Sequence, residues 1–96
     1  MDGLTEGRIV HYVMPNGQHR PAIVVQVWDY TGPSGTSNLQ VFTDGPNDKP
    51  FTPAEKQKNI DFGIDSEQVA HGHLWRTSIM YSEEHTPGTW HWIEKA

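Results

Sequence analysis

Residues 22–29 read AIVVQVWD, the longest run of β-branched and aromatic residues in the chain. Such residues favour an extended strand, in which successive side chains point to opposite faces of the sheet. Both faces of this strand are largely apolar, which is typical of a central strand covered on two sides. The alternation predicts that Ile23, Val25 and Val27 fill the core, whereas Trp28 lies on the opposite face.

Further strands are predicted on both sides of this segment. Their residues are 8–14, 38–44, 73–81 and 89–93. Between the first strand and the central strand, Pro15-Asn16-Gly17 predicts the turn of a β-hairpin, because Pro presets φ and Asn-Gly tolerates positive φ. Five short strands joined by Gly- and Pro-rich turns predict an all-β fold, a small antiparallel, SH3-like barrel or roll.

Residues 45–69 are less regular than the rest and are expected to form an excursion from the β framework. Within them, Thr52-Pro53-Ala54-Glu55 matches a capping box, with Pro in the first helical position. A short helix over about residues 53–58 is therefore predicted. The whole chain of 96 residues is expected to be one domain.

Composition limits the classes of function. The net charge of −5 argues against binding duplex nucleic acid, which needs a basic surface to neutralise phosphates. No cysteine is present, so disulfides and thiolate metal sites are excluded. The first residues, MDGLTEGR, do not resemble a secretory signal, and no apolar run reaches membrane-spanning length. A soluble cytoplasmic protein is expected, and its low apolar content of 34% favours a homo-oligomer.

The chain resembles a family of small proteins of unassigned activity in tailed bacteriophages and prophages. The segments that carry this resemblance are GRIVHYVMPNG, HRPAIVVQVW, NLQVFTDG and PGTWHW. The resemblance implies a setting in the host cytoplasm during infection. Small phage proteins of this kind include virion parts, regulators of host enzymes and oligomeric sponges that sequester nucleotide second messengers of host defence. A counter-defence sponge is a hypothesis from that context.

Arginines and aromatic residues in the predicted strands suggest a site for a small phosphorylated nucleotide. A guanidinium on a rigid strand suits phosphate, although an ordinary salt bridge explains it equally well. Aromatic rings could stack on a base, and histidines could add hydrogen bonds. The residues predicted to bind the ligand are Arg20, Arg76, His11, Tyr12, His19, Trp28, Trp75 and His91.

Catalytic and metal sites are weakly indicated. His71 and His73 form an H-x-H pair that could hold zinc together with His91 or His11, but surface histidines are the favoured interpretation. No nucleophile elbow or phosphate-binding loop is present. We therefore expect no enzyme activity, no metal and no cofactor. A phage structural or adaptor protein that uses its aromatic face on a protein partner, and a histidine–metal enzyme, remain the alternatives.

Overall fold

A computed structural model describes residues 1–94, which form a five-stranded antiparallel sheet with two short helices. The strands are β1 (Ile9–Val13), β2 (His19–Val27), β3 (Ser37–Phe42), β4 (His73–Ile79) and β5 (Trp90–His91). They lie in the order β4-β3-β2-β1-β5, with the AIVVQV segment in the middle strand as predicted. The predicted β architecture is confirmed. The sheet is open between β4 and β5, so closure into an SH3-like barrel stays a prediction.

The predicted hairpin joins β1 to β2. The backbone N–H of Gly17 donates to the carbonyl of Met14 over 2.8 Å, and the N–H of Met14 donates to the carbonyl of Gln18 over 2.8 Å. Gly17 has a φ of 88°, a conformation that glycine adopts without the steric cost of a Cβ atom. The turn fixes the pairing of His11 with Pro21 and of Val13 with His19.

The face of β2 that fills the core is opposite to the predicted one. Val24 is 1% exposed, whereas Val25 is 49% exposed. A shift in the β2–β3 register between Val24 and Gln26 then returns Val27 to the core. Because both faces of β2 are apolar, the alternation of side chains could not select the buried one.

The buried side of the sheet, here called the inner face, carries the main core. Its large side chains include Val10, Tyr12, Val24, Leu39, Val41, Leu74 and Trp90. Two helices follow β3: α1 (Pro53–Asp61) and α2 (Ser66–Ala70). Val69 of α2 packs in the inner-face core. The opposite side of the sheet, here called the outer face, carries exposed apolar residues. Neither helix is long and apolar enough to span a membrane, in the part of the chain that is described.

The excursion between β3 and β4 begins with a 3-10 turn, Gly45–Asp48, and continues into α1. The Thr52 hydroxyl accepts a hydrogen bond from the Glu55 backbone N–H over 3.2 Å, which confirms the predicted N-cap. Helix α1 continues three residues beyond the predicted end at residue 58. Helix α2 was not predicted, because its five residues are too few to show a helical period.

Asp48 of the 3-10 turn holds Arg20 of β2. The Arg20 Nε donates to Asp48 over 2.6 Å, and a second nitrogen, Nη2, donates to the other carboxylate oxygen. The Asp48 side chain is 5% exposed and that of Arg20 is 20% exposed. Hydrogen bonds from Arg20 lower the pKa of the Asp48 carboxyl. This bidentate pair connects the excursion to the sheet.

Asp48→Asn should lower the free energy of unfolding at pH 7 by about 1.5–3 kcal/mol, the usual worth of hydrogen bonds to a charged group. Since the folded-state pKa of Asp48 lies below its unfolded value, the stabilisation is complete above about pH 4 and is lost as pH falls further. Urea unfolding of both proteins from pH 7 to pH 2 measures this. A stability difference that grows on acidification would contradict the assignment.

Candidate metal centre

Three imidazoles meet on the outer face because of the strand register. His11 of β1 lies directly opposite His91 of β5. His19 begins β2 opposite Val13, two residues along β1 from His11 and therefore on the same face. The hairpin and the β1–β5 pairing thus bring together residues from two distant parts of the chain. Glu94 follows β5 and reaches the same place.

The four side chains form one compact donor set. One ligand atom from each of His11, His19, His91 and Glu94 can be chosen so that all four lie within 4.8 Å of one another. Glu94 Oε2 lies 2.8 Å from His11 Nδ1, and Oε1 lies 2.8 Å from His19 Nδ1. Oε1 also contacts His91 Nε2. We call these four residues the His₃Glu cluster.

His85 stands at the edge of the cluster. Its ring stacks on that of His91, with centroids 3.7 Å apart and an angle of 22° between the ring planes. Its Nδ1 lies 3.9 Å from Glu94 Oε1. His85 has a φ of 57°, in the left-handed region that costs a residue with a Cβ about 1 kcal/mol or more. The His85 imidazole therefore lies next to the cluster as a further nitrogen donor beside the three of His11, His19 and His91.

The electrostatics of the cluster favour the forms that bind metal. Burial lowers the pKa of His91 and outweighs the opposing effect of the Glu94 carboxylate. The pKa of the Glu94 carboxyl lies at about 2: desolvation raises this pKa, but hydrogen bonds from its own backbone, His11 and His91 together outweigh that effect and lower it. At neutral pH, Glu94 is therefore an anion and His91 is a neutral imidazole. Metal ions require these protonation states of their ligands.

The donor set matches a divalent transition metal. Imidazole nitrogens suit zinc, copper, iron and nickel, and a carboxylate oxygen completes many such sites. Zinc–nitrogen bonds are about 2.0–2.1 Å long, and two ligands of one zinc ion therefore lie within about 4 Å of each other, close to the spacing of these donors. The Nδ1 of His91 is buried with no partner within residues 1–94. Metal-bound imidazoles commonly donate their other ring N–H to an acceptor, and residues 1–94 supply none for His91.

Of the residues predicted to bind a ligand, His11, His19 and His91 are brought together. Arg20 and Arg76 point to the inner face, and their guanidinium groups are engaged by protein atoms. Arg20 pairs with Asp48, as described above. Arg76 Nη2 donates to the carbonyl of Phe62 over 2.8 Å, at the C-terminal end of α1. Both guanidinium groups therefore make hydrogen bonds within the protein.

The predicted aromatic residues do not form one platform. Tyr12 is fully buried on the inner face. Trp28 is 60% exposed at the far end of β2, where its Nε1 donates to the Asn38 side chain over 2.9 Å. Trp75 is exposed on the outer face of β4. The structure separates Trp28 from the histidines by most of the length of β2.

Sequence reasoning missed Glu94 and His85, and the metal site that it considered was built on His71 and His73 instead. His71 and His73 lie at the end of α2 and the start of β4, on the opposite edge of the sheet from β5. The spacing His91-x-x-Glu94 was visible in the sequence. This spacing indicates a metal site only when β5 is known to pair with β1, a contact between residues about eighty positions apart.

Compared with known proteins, the chain matches no family model, no curated protein sequence and no solved structure.

Proposed function

We propose that this protein binds one divalent transition-metal ion through the His₃Glu cluster, and that the ion is the attachment point for a small anionic ligand. The observation that carries this proposal is the meeting of four donor atoms from three chain segments within 4.8 Å. Zinc is the metal chosen for the test, because zinc sites combine imidazole and carboxylate ligands in a shell of four.

The exposure of the cluster supports binding of an external ligand. The Glu94 side chain is 40% exposed and that of His19 is 32% exposed, whereas His91 is 3% exposed. A metal ion held by these residues would have a buried side and a side facing solvent. Zinc can expand its shell from four to five ligands, and the solvent-facing side leaves room for the fifth. An anion in that position would bind the metal directly.

Calorimetric titration with zinc tests the proposal. We expect one zinc ion per chain and a rise in the melting temperature of roughly 10–20 °C when free zinc is 100 times its dissociation constant. The control is the double variant His71→Ala/His73→Ala, which removes two histidines outside the cluster and should keep both results. Binding that vanishes in this double variant, or zinc that leaves the melting temperature unchanged, would contradict the proposal.

Sequestration of a phosphorylated nucleotide in phage counter-defence is a second proposal. In this form of it, the metal ion holds the phosphate in place of Arg20 and Arg76, since both guanidinium groups already have protein partners. Within residues 1–94, ten large apolar side chains are at least 43% exposed, which supports self-association in the sponge model. Mass spectrometry of small molecules released by heating protein from defence-active cells tests it. An unmodified nucleotide is expected, and a cleaved one would favour a histidine–metal enzyme.

A further inference from the structure

The strands that form the outer face beside the His₃Glu cluster contribute no carboxylates. None of the strand residues of β1 to β5 is Asp or Glu, although the chain has twelve acids. The two strand arginines are on the inner face. A divalent ion bound by Glu94 would therefore give this neutral surface a net positive charge. An anion is the ligand whose charge complements it.

Apolar side chains extend from the cluster across this face. Ile9, Ile23 and Trp75 lie in one row of paired positions across four strands, with the polar Gln40 between Ile23 and Trp75. This row lies two residues along β1 from His11. Ile9 is 53% exposed and Trp75 is 52% exposed. The metal site thus borders a surface suited to a flat apolar group.

Phe42 is the aromatic residue of the outer face that lies nearest to the cluster. It follows Val41, which pairs with Ala22, so it lies beside Pro21, and Pro21 pairs with His11. Two strand spacings separate Phe42 from His11, or about 10 Å. The Phe42 side chain is 43% exposed. A mononucleotide has a comparable length between its phosphate and its base.

The geometry points to a nucleotide as the ligand of this site, with its phosphate on the metal ion and its base on the outer-face surface formed by Ile23, Phe42 and Trp75. This inference rests on the proposed metal centre. Because an aromatic ring stacks on any nucleobase, the inferred ligand is a nucleotide of unspecified base. The phosphate supplies the charge that the metal attracts, and the base covers apolar area that is otherwise in water.

Calorimetry on the zinc-loaded protein tests the inference with adenosine monophosphate, inorganic phosphate and adenosine as probes. Adenosine monophosphate should bind about 10-fold more tightly than phosphate, since base stacking on an aromatic ring contributes about that factor. Phe42→Ala should weaken the binding of adenosine monophosphate about 10-fold and leave phosphate binding unchanged. Adenosine should bind most weakly, because it lacks the group that the metal holds.

Trp28→Ala is the matched control, because it removes an exposed aromatic residue far from the cluster. It should leave both affinities unchanged, and zinc content is measured in every variant. If one zinc ion binds per chain but Phe42→Ala does not change the affinity for adenosine monophosphate, the nucleotide inference is overturned and the metal centre stands. Absence of zinc binding to the native protein overturns the proposed metal centre as well. The nucleotide inference would also be overturned by a dimer in which fluorescence quenchers cannot reach Trp75. A second copy of the chain would then occupy the surface proposed for the base.

Discussion

His19→Gln should lower zinc affinity by at least about 100-fold, because it removes one of four ligands, and loss of even a supporting residue behind a ligand costs 10–100-fold. His19 suits this test because its side chain is 32% exposed and because it is the first residue of β2. The fold should therefore remain intact, as measured by far-ultraviolet circular dichroism. Zinc competition with a chromogenic chelator gives the affinities.

His73→Gln is the matched control for this experiment. It makes the same chemical change at the first residue of another strand, on an exposed side chain outside the His₃Glu cluster. Its zinc affinity should equal that of the native protein. Equal losses in the two variants would show that zinc binds surface histidines without selection, and the metal centre would then be rejected.

Val24→Asp should abolish folding, whereas Val25→Asp should change the free energy of unfolding by less than about 1 kcal/mol. Val24 is 1% exposed in the core, and an unpaired buried charge costs more than the whole net stability of a small domain. Val25 is 49% exposed, so its carboxylate would remain in water. The two substitutions make the same chemical change at neighbouring positions, and they differ only in the face of β2 on which the side chain lies.

Thermal unfolding followed by circular dichroism distinguishes the two variants. Native-like melting of Val24→Asp, or loss of structure in Val25→Asp, would show that the faces of β2 are reversed. That outcome would agree with the sequence-based prediction for this strand. It would also remove Ile23 from the outer face and with it part of the surface proposed for the base.

Local signals in the sequence predicted most of the strands and turns. The Pro15-Asn16-Gly17 turn and the Thr52 N-cap rely on residues within a few positions of each other, and both are confirmed. The face of β2 could not be predicted, because the register shift near Val25 depends on pairing with β3. Residue type determines backbone preference at one position, whereas register is a property of two strands.

The candidate site was partly predictable for the same reason. His11 and His19 belong to one hairpin, so their common face follows from the turn and the period of two in each strand. Their proximity to His91 and Glu94 depends on β5, a strand of two residues that pairs with the first strand of the chain. The sequence alone therefore predicted these histidines as hydrogen-bonding groups, with His91 or His11 as a possible third ligand beside His71 and His73. The fold brings His11, His19, His91 and Glu94 together as one candidate donor set.

Anomalous diffraction from zinc-soaked crystals, recorded on both sides of the zinc absorption edge, tests the metal centre most directly. We expect one strong peak per chain, bounded by His11, His19, His91 and Glu94, with zinc–nitrogen distances of about 2.0–2.1 Å. A structure in which this position has no anomalous peak, while zinc occupies the His71 and His73 side chains instead, would contradict the account.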